Sequence, residues 1–207
     1  MSNDIHEFLR EVSKKLQTMD YVRPESLPNI DLYMDQVTTF MDTQLVSTKR
    51  REEDKILTKT MINNYAKNNL LPPPKKKKYS KDHVLTLLFI YYFKNILSIS
   101  DIQSILNPIT DKYFEAESDL NLQDIYNEVF SLEHGEMQHI LKDLAKKYKT
   151  SLSTFADVPK EDADLLQKFS FICMLCFDVY FKKMIIEQTI DELPVSKPQG
   201  KKTKRKE

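Results

Sequence analysis

The chain has 207 residues, 41% apolar and 30% charged, with a formal net charge of zero. That length holds one or two domains with a real core, and only two glycines argue against a hairpin-rich all-β fold, whose primed turns lean on glycine. Two cysteines make no disulfide scaffold, the charged N-terminus has no signal-peptide core, and the longest apolar run, residues 169–177 interrupted by Ser170, is too short for a bilayer. The expectation is a mainly helical, all-α protein in a reducing cytoplasm.

Residues 5–19 read as an amphipathic helix with Ile5, Phe8, Leu9, Val12 and Leu16 on one face. "YVRPESLPN" is a proline-broken connector. Asn29 or Asp31 caps the next helix, "DLYMDQVTTFMDTQLV", whose Leu32, Tyr33, Val37, Phe40, Met41 and Leu45 fit helical spacing. "STKRREED" fits a charged loop or a helical extension equally well. Thr58 is placed to cap "KTMINNYAKNN", and the three prolines 72–74 then force an extended course.

Ser80, with Asp82 in the first turn, reopens a helix whose "HVLTLLFIYYFK" marks it as the central core helix. "LSISDIQSIL" is a short helix capped at Ser98 or Ser100, and Pro108 is expected to break the chain. Residues 120–149 place Leu122, Ile125, Tyr126, Val129, Met137, Ile140, Leu141 and Leu144 in an amphipathic pattern, with Gly135 the candidate interruption. Residues 161–192 carry "FSFICMLCFDVYFKKMII", which suits a core helix or a dimerisation helix. Residues 194–207 lack apolar periodicity and are expected to be disordered.

The zero net charge conceals a segregation. Residues 1–48 carry 4 basic and 8 acidic side chains, residues 49–81 carry 11 and 3, residues 82–193 carry 10 and 19, and residues 194–207 carry 6 and 1. Positive charge is confined to one internal stretch and the tail, the footprint expected for a polyanion partner. Within that stretch, a helix over 58–69 puts Met61, Ile62, Tyr65, Ala66 and Asn69 on one arc. The other arc holds Lys59, Thr60, Asn63, Asn64, Lys67 and Asn68, with no acid on it. Asparagine pairs bidentately with adenine, and lysine reaches guanine or phosphate. Beyond the prolines, Lys75, Lys76, Lys77, Lys78 and Tyr79 supply charge for several phosphates. These eleven residues are the candidate DNA contacts.

The order of these motifs resembles the MerR-type winged helix-turn-helix. Tyr65 with Leu70, Leu71 and Pro72 matches that family's turn after the second helix. Lys75, Lys76, Lys77, Lys78 and Tyr79 stand in the wing position, and "LSISDI" from Leu97 matches the entry to the last helix. More closely, "DLYMDQVTTF" with "LTKTMINNYAKNNLLPPPKKKKYSKDH" is similar to a bacterial family catalogued as a domain of unknown function, regarded as MerR-related and as acting in transcription. The resemblance covers roughly residues 25–110. It implies an N-terminal helix (1–24), a winged domain (25–110), a helical dimerisation or core region (111–193) and a basic tail (194–207). It also implies a homodimer on double-stranded DNA. Residues 44–57 lengthen the first inter-helix link beyond the usual MerR turn, and the lysine stretch lacks the usual arginines and glycine.

Other chemistry is weakly represented. Cys173 and Cys176 form a C-x-x-C amid Phe, Ile and Met, where core packing is the expected role, and no second Cys/His pair has ligand spacing. His134 and His139 are five apart, which puts them on different helix faces, and both are expected at the surface. No glycine-rich phosphate loop or nucleophile triad exists, so neither enzyme activity, metal nor cofactor is expected. The leading expectation is a DNA-binding transcriptional regulator. The alternative is a protein-interaction module, an adaptor or anti-regulator on a degenerate winged helix, whose lysines meet an acidic protein.

Overall fold

The structure, a computed structural model, describes residues 2–18 and 21–194, and the basic tail from residue 195 lies outside the described residues. The chain is mainly helical, as composition and periodicity imply. Helix α1 spans Ser2–Thr18 and a 3-10 turn spans Pro24–Ser26. Leu32–Tyr33 is a short strand, β1, where a continuous helix is expected from the sequence; α2 begins at Met34 and runs to Gln44. The Tyr33 N–H donates to Gln36 Oε1 at 2.8 Å and closes the helix start there. The "STKRREED" stretch resolves into a 3-10 turn, Val46–Thr48, and a loop. In that loop the Asp54 carboxylate accepts the Arg50 and Arg51 N–H groups at 3.2 and 3.0 Å.

Helix α3 spans Lys59–Lys67 and β2 spans Lys78–Tyr79; β2 pairs antiparallel with β1 in the register Leu32↔Tyr79, Tyr33↔Lys78. Helix α4, Lys81–Phe93, is the central core helix its sequence announces, buried without a break from His83 to Tyr91. Around it pack β2, α5 (Ile99–Tyr113) and α6 (Leu122–Ser131). Truncating a fully buried α4 leucine such as Leu87 to alanine is worth roughly 2–5 kcal/mol. An aromatic cluster extends the core, with Tyr126 centred 4.3 Å from Phe130 and 5.3 Å from Phe89.

Two breaks fall elsewhere than expected. Pro108 does not end α5, which continues through it to Tyr113. The helix opens at Ser98, whose hydroxyl accepts the Asp101 N–H at 3.1 Å, and its buried Ile102, Leu106 and Thr110 hold it on the core either side of the proline. The second break separates α6 from α7 (Glu133–Ser151) at Leu132, and Gly135 lies inside α7.

Helix α8, Lys160–Asp191, folds back along α7, with Lys147 Nζ 2.5 Å from Asp178 and the Gln167 amide donating to Thr154 O at 3.1 Å. Helix α1 docks on this pair through Phe8, stacked on Tyr148 at 5.4 Å and edge-on to Phe171 at 5.8 Å. The apolar α8 sequence is not a core helix, since only Phe171 and Ile190 are buried. Cys173 is half-buried and Cys176 exposed, so the C-x-x-C is not the packed core pair expected. His139 is exposed, as expected, and the side chain of His134 lies outside the described residues.

Candidate nucleic-acid interface

Helix α3 is short because strong signals lie at both ends. Thr58 Oγ1 accepts the Met61 N–H at 3.2 Å and opens it. Asn69 adopts φ 56°, and the Leu70 and Leu71 N–H groups both return to Tyr65 O, at 2.9 and 3.2 Å. That is a left-handed helix stop with asparagine in place of glycine. Ile62 and Tyr65 are buried, and Met61 and Ala66 are half-buried. Lys59, Thr60, Asn63, Asn64, Lys67 and Asn68 are exposed, so the two arcs read from the sequence are real faces.

Residues 75–78 fold as a tight hairpin. Lys75 and Lys78 form an isolated antiparallel bridge, the Lys78 N–H donates to Lys75 O at 2.9 Å, and Lys76 and Lys77 hold φ of 51° and 65°. Two successive positive φ values define a primed turn, a position that ordinarily selects Asn-Gly. Here lysine fills both places, at a cost of order 1–3 kcal/mol each. Composition argued against such a turn, and the Lys75–Lys78 bridge together with the β1–β2 pairing closes it. The turn aims Lys76 and Lys77 into solvent, and neither side chain has a partner among the described residues.

Three contacts tie the hairpin and α3 to their neighbours. Lys78 Nζ lies 5.3 Å from the Tyr33 ring centroid, across the β1–β2 pair. Asp35, two residues on from Tyr33 in the first turn of α2, forms an ion pair with Lys59 at the start of α3. At the other end, the Gln103 amide of α5 donates to Asn68 O. Lys67, Lys76 and Lys77 are exposed and Lys78 is half-buried.

Three residues of the expected set have other work, Lys59 in its ion pair with Asp35 among them. Tyr79 is 3% exposed, because its strand partner is the core residue Leu32, so its ring faces inward and does not join the surface. The surface aromatic is Tyr33, 54% exposed. Lys75 forms an ion pair with Glu115, which holds the lysine above and the carboxyl below their ordinary ranges. Lys75 is therefore an anchor, and Lys76 and Lys77 are the unpaired charges.

Beneath the hairpin sits His83, 1% exposed, a residue the sequence reading did not single out. Its Nδ1 accepts the Ser80 N–H at 3.0 Å, and its Nε2 donates to Pro73 O at 3.4 Å. Its ring meets Phe114 and Tyr79 edge-on at 4.7 and 5.4 Å. Burial holds its pKa below the usual histidine value, so the ring is the neutral tautomer protonated at Nε2. Adjacent Asp82 accepts the Glu115 N–H at 2.6 Å, and burial raises its pKa. One node thus ties the proline turn, the hairpin, the start of α4 and the end of α5 together. The signal in sequence was a histidine three residues after Ser80, at the capping-box position.

Among the described residues no group of three or more His, Cys, Asp or Glu lies together to hold a metal, and no helix is long and apolar enough to cross a membrane. No curated protein and no solved structure matches the chain. The family model described as "Domain of unknown function (DUF1836)" matches residues 22–129, more than half of the chain, from the residue before Arg23 through most of α6; the protein belongs to that family.

Proposed function

We propose that the protein is a sequence-specific DNA-binding transcriptional regulator in which α3 enters the major groove and the lysine hairpin acts as a wing on the flanking phosphates. The order α2, α3, hairpin, α4, α5 suits a MerR-like winged helix-turn-helix. The observation that carries the reading is a strained two-lysine turn tied to α2, which also meets α3, a helix whose exposed face is amides, hydroxyl and lysine. Strain at solvent-exposed lysines has no packing rationale, whereas a fixed phosphate clamp gives it one. Lys76, Lys77, Lys78 and Lys67 supply phosphate contacts, and Asn63, Asn64 and Thr60 read base edges. Catalysis has no part in this reading.

The test is a titration of labelled duplex fragments from the source genome at several salt concentrations. Binding weakens steeply with salt, and Lys76→Ala weakens all sites alike and lowers the salt slope by about one. Asn63→Ala or Asn64→Ala instead narrows the gap between preferred and random sites by roughly 1–3 kcal/mol. Absence of binding at the lowest salt overturns the proposal. The alternative is a protein-interaction module on a degenerate winged helix. On that reading the same surface retains an acidic protein and ignores duplex DNA.

A further inference from the structure

The two arms of the lysine hairpin are held in different ways. The outgoing arm, Lys78–Tyr79, is the strand β2, and β1 pairs with it. The incoming arm runs through Pro72, Pro73 and Pro74, which have no N–H to give to a ladder. Beyond the prolines, Lys75 meets Lys78 in the bridge that closes the turn. Strand pairing therefore fixes the outgoing arm and leaves the incoming arm to side chains. His83 reaches Pro73 O at 3.4 Å, and Glu115 reaches Lys75. No acid occurs between residues 59 and 81, so the carboxylate on Lys75 comes from 40 residues further along the chain.

A lysine–carboxylate pair contributes little when both side chains are mobile in solvent. Here one partner is sheltered, since the Lys75 side chain is 77% exposed and that of Glu115 28%. Glu115 follows Phe114, the residue that ends α5, whose ring lies edge-on to His83 at 4.7 Å. The Glu115 N–H donates to the carboxylate of Asp82, in the first turn of α4, at 2.6 Å. Its backbone is left-handed, with φ 50°, a conformation that a side chain with a Cβ resists. With Lys76 and Lys77, three of the five left-handed non-glycine residues among the described residues therefore meet at this hairpin. Such strain persists where surrounding contacts over-determine it. From that fixed backbone the Glu115 carboxylate also accepts the Ser80 hydroxyl. The hydroxyl oxygen lies 2.8 Å from His83 Nδ1 as well, but that nitrogen has one lone pair and already takes the Ser80 N–H, so the hydroxyl proton is left for Glu115. Lys75 precedes the turn and Ser80 follows β2, so one carboxylate spans both arms.

We propose that Glu115 is the positioning residue of the lysine turn, its carboxylate clasping the hairpin between Lys75 and Ser80. The clasp itself does not depend on the DNA reading, whereas its effect on binding rests on that reading. The variant that isolates it is Glu115→Gly, which suits the left-handed backbone, keeps the N–H for Asp82 and removes only the side chain. The Lys78 N–H, bonded to Lys75 O at 2.9 Å, reports whether the turn is closed. In NMR hydrogen exchange on the full chain, that amide exchanges about ten-fold faster in the variant, while α4 amides such as that of Leu87 keep their rates. Unchanged exchange at Lys78, or equal acceleration at Lys78 and Leu87, overturns the proposal. Titration with duplex DNA gives a second readout, and its sign is diagnostic. Removing an acid beside a phosphate site strengthens binding on charge alone. A positioning role demands the reverse, with every duplex bound roughly three-fold more weakly by Glu115→Gly. Stronger binding overturns the proposal and makes Glu115 a competitor for the phosphate. A parent chain that ignores duplex DNA, with Lys78 exchange as expected, supports the clasp and defeats only the proposed function.

Discussion

Lys77 concentrates the relation between strain and function in one residue. Its left-handed backbone is one that glycine adopts freely and a lysine resists. Lys77→Gly therefore raises stability by about 1 kcal/mol in urea denaturation, while on the proposed DNA reading it weakens binding by removing one phosphate contact. A variant that lost both stability and binding would show that the turn is held by lysine contacts, not in spite of lysine. His83 makes the second prediction at this scale. Its folded pKa is depressed, so between that value and the ordinary 6.5 the unfolded chain binds a proton that the folded chain does not. Stability from His83 is thus fully present above pH 6.5 and lost as pH falls below it, by up to about 1.4 kcal/mol per pH unit. Glu115 is held below and Tyr79 above their ordinary ranges, both away from that window, whereas Asp82, raised by burial, binds its proton more readily in the folded chain and opposes the slope at its acid end. His83→Gln flattens the slope of unfolding free energy between pH 7 and 5.

At the scale of elements, Pro108 is the informative case. A proline inside a helix lacks the N–H that would bond to the carbonyl of Ser104 and crowds it. Helix α5 continues because Ile102, Leu106 and Thr110 are fixed on the core, which outweighs a local penalty. Pro108 is exposed, so Pro108→Ala removes that penalty without opening a cavity, and raises stability by roughly 1–3 kcal/mol in thermal or urea unfolding. The same competition between local and tertiary terms decided what could be read from sequence. Helix α3 was legible to its faces and its cap, because Thr58 and the spacing of Met61, Ile62, Tyr65 and Ala66 are local signals. Tyr79 was misplaced because a two-residue strand has no period, and its facing is set by pairing with Leu32, 47 residues earlier. The lysine turn, the Tyr33–Lys78 contact and the Glu115 anchor were equally invisible, since each depends on a distant partner. The apolar sequence of α8 was read correctly as apolar, but apolar composition does not say whether cover comes from the same chain.

Over the whole molecule, the buried residues divide unevenly. Among the described residues the core runs from Val22 to Tyr126, with Ile190 as its outlying member, and the family match ends within three residues of that limit. Helices α1, α7 and α8 hold together chiefly through Phe8, Tyr148 and Phe171. A core this concentrated around α4 should open only with global unfolding, whereas a three-helix layer resting on a few rings should open at lower free energy. Hydrogen exchange on the full chain therefore gives two levels of protection, with α4 amides highest and those of α1 and α7 lower. Phe171→Ala removes the ring that both Phe8 and Tyr148 meet, at a cost of about 3–5 kcal/mol if the layer cannot close over the space. Its effect falls on α1, α7 and α8, and α4 protection changes little. Equal loss of protection in α4 would mean that the two layers form one cooperative unit, with Ile190 as more than a peripheral contact. The distinction bears on the proposed function, because a stable core carrying α3 and the hairpin would keep the proposed face intact even where the α8 layer opened.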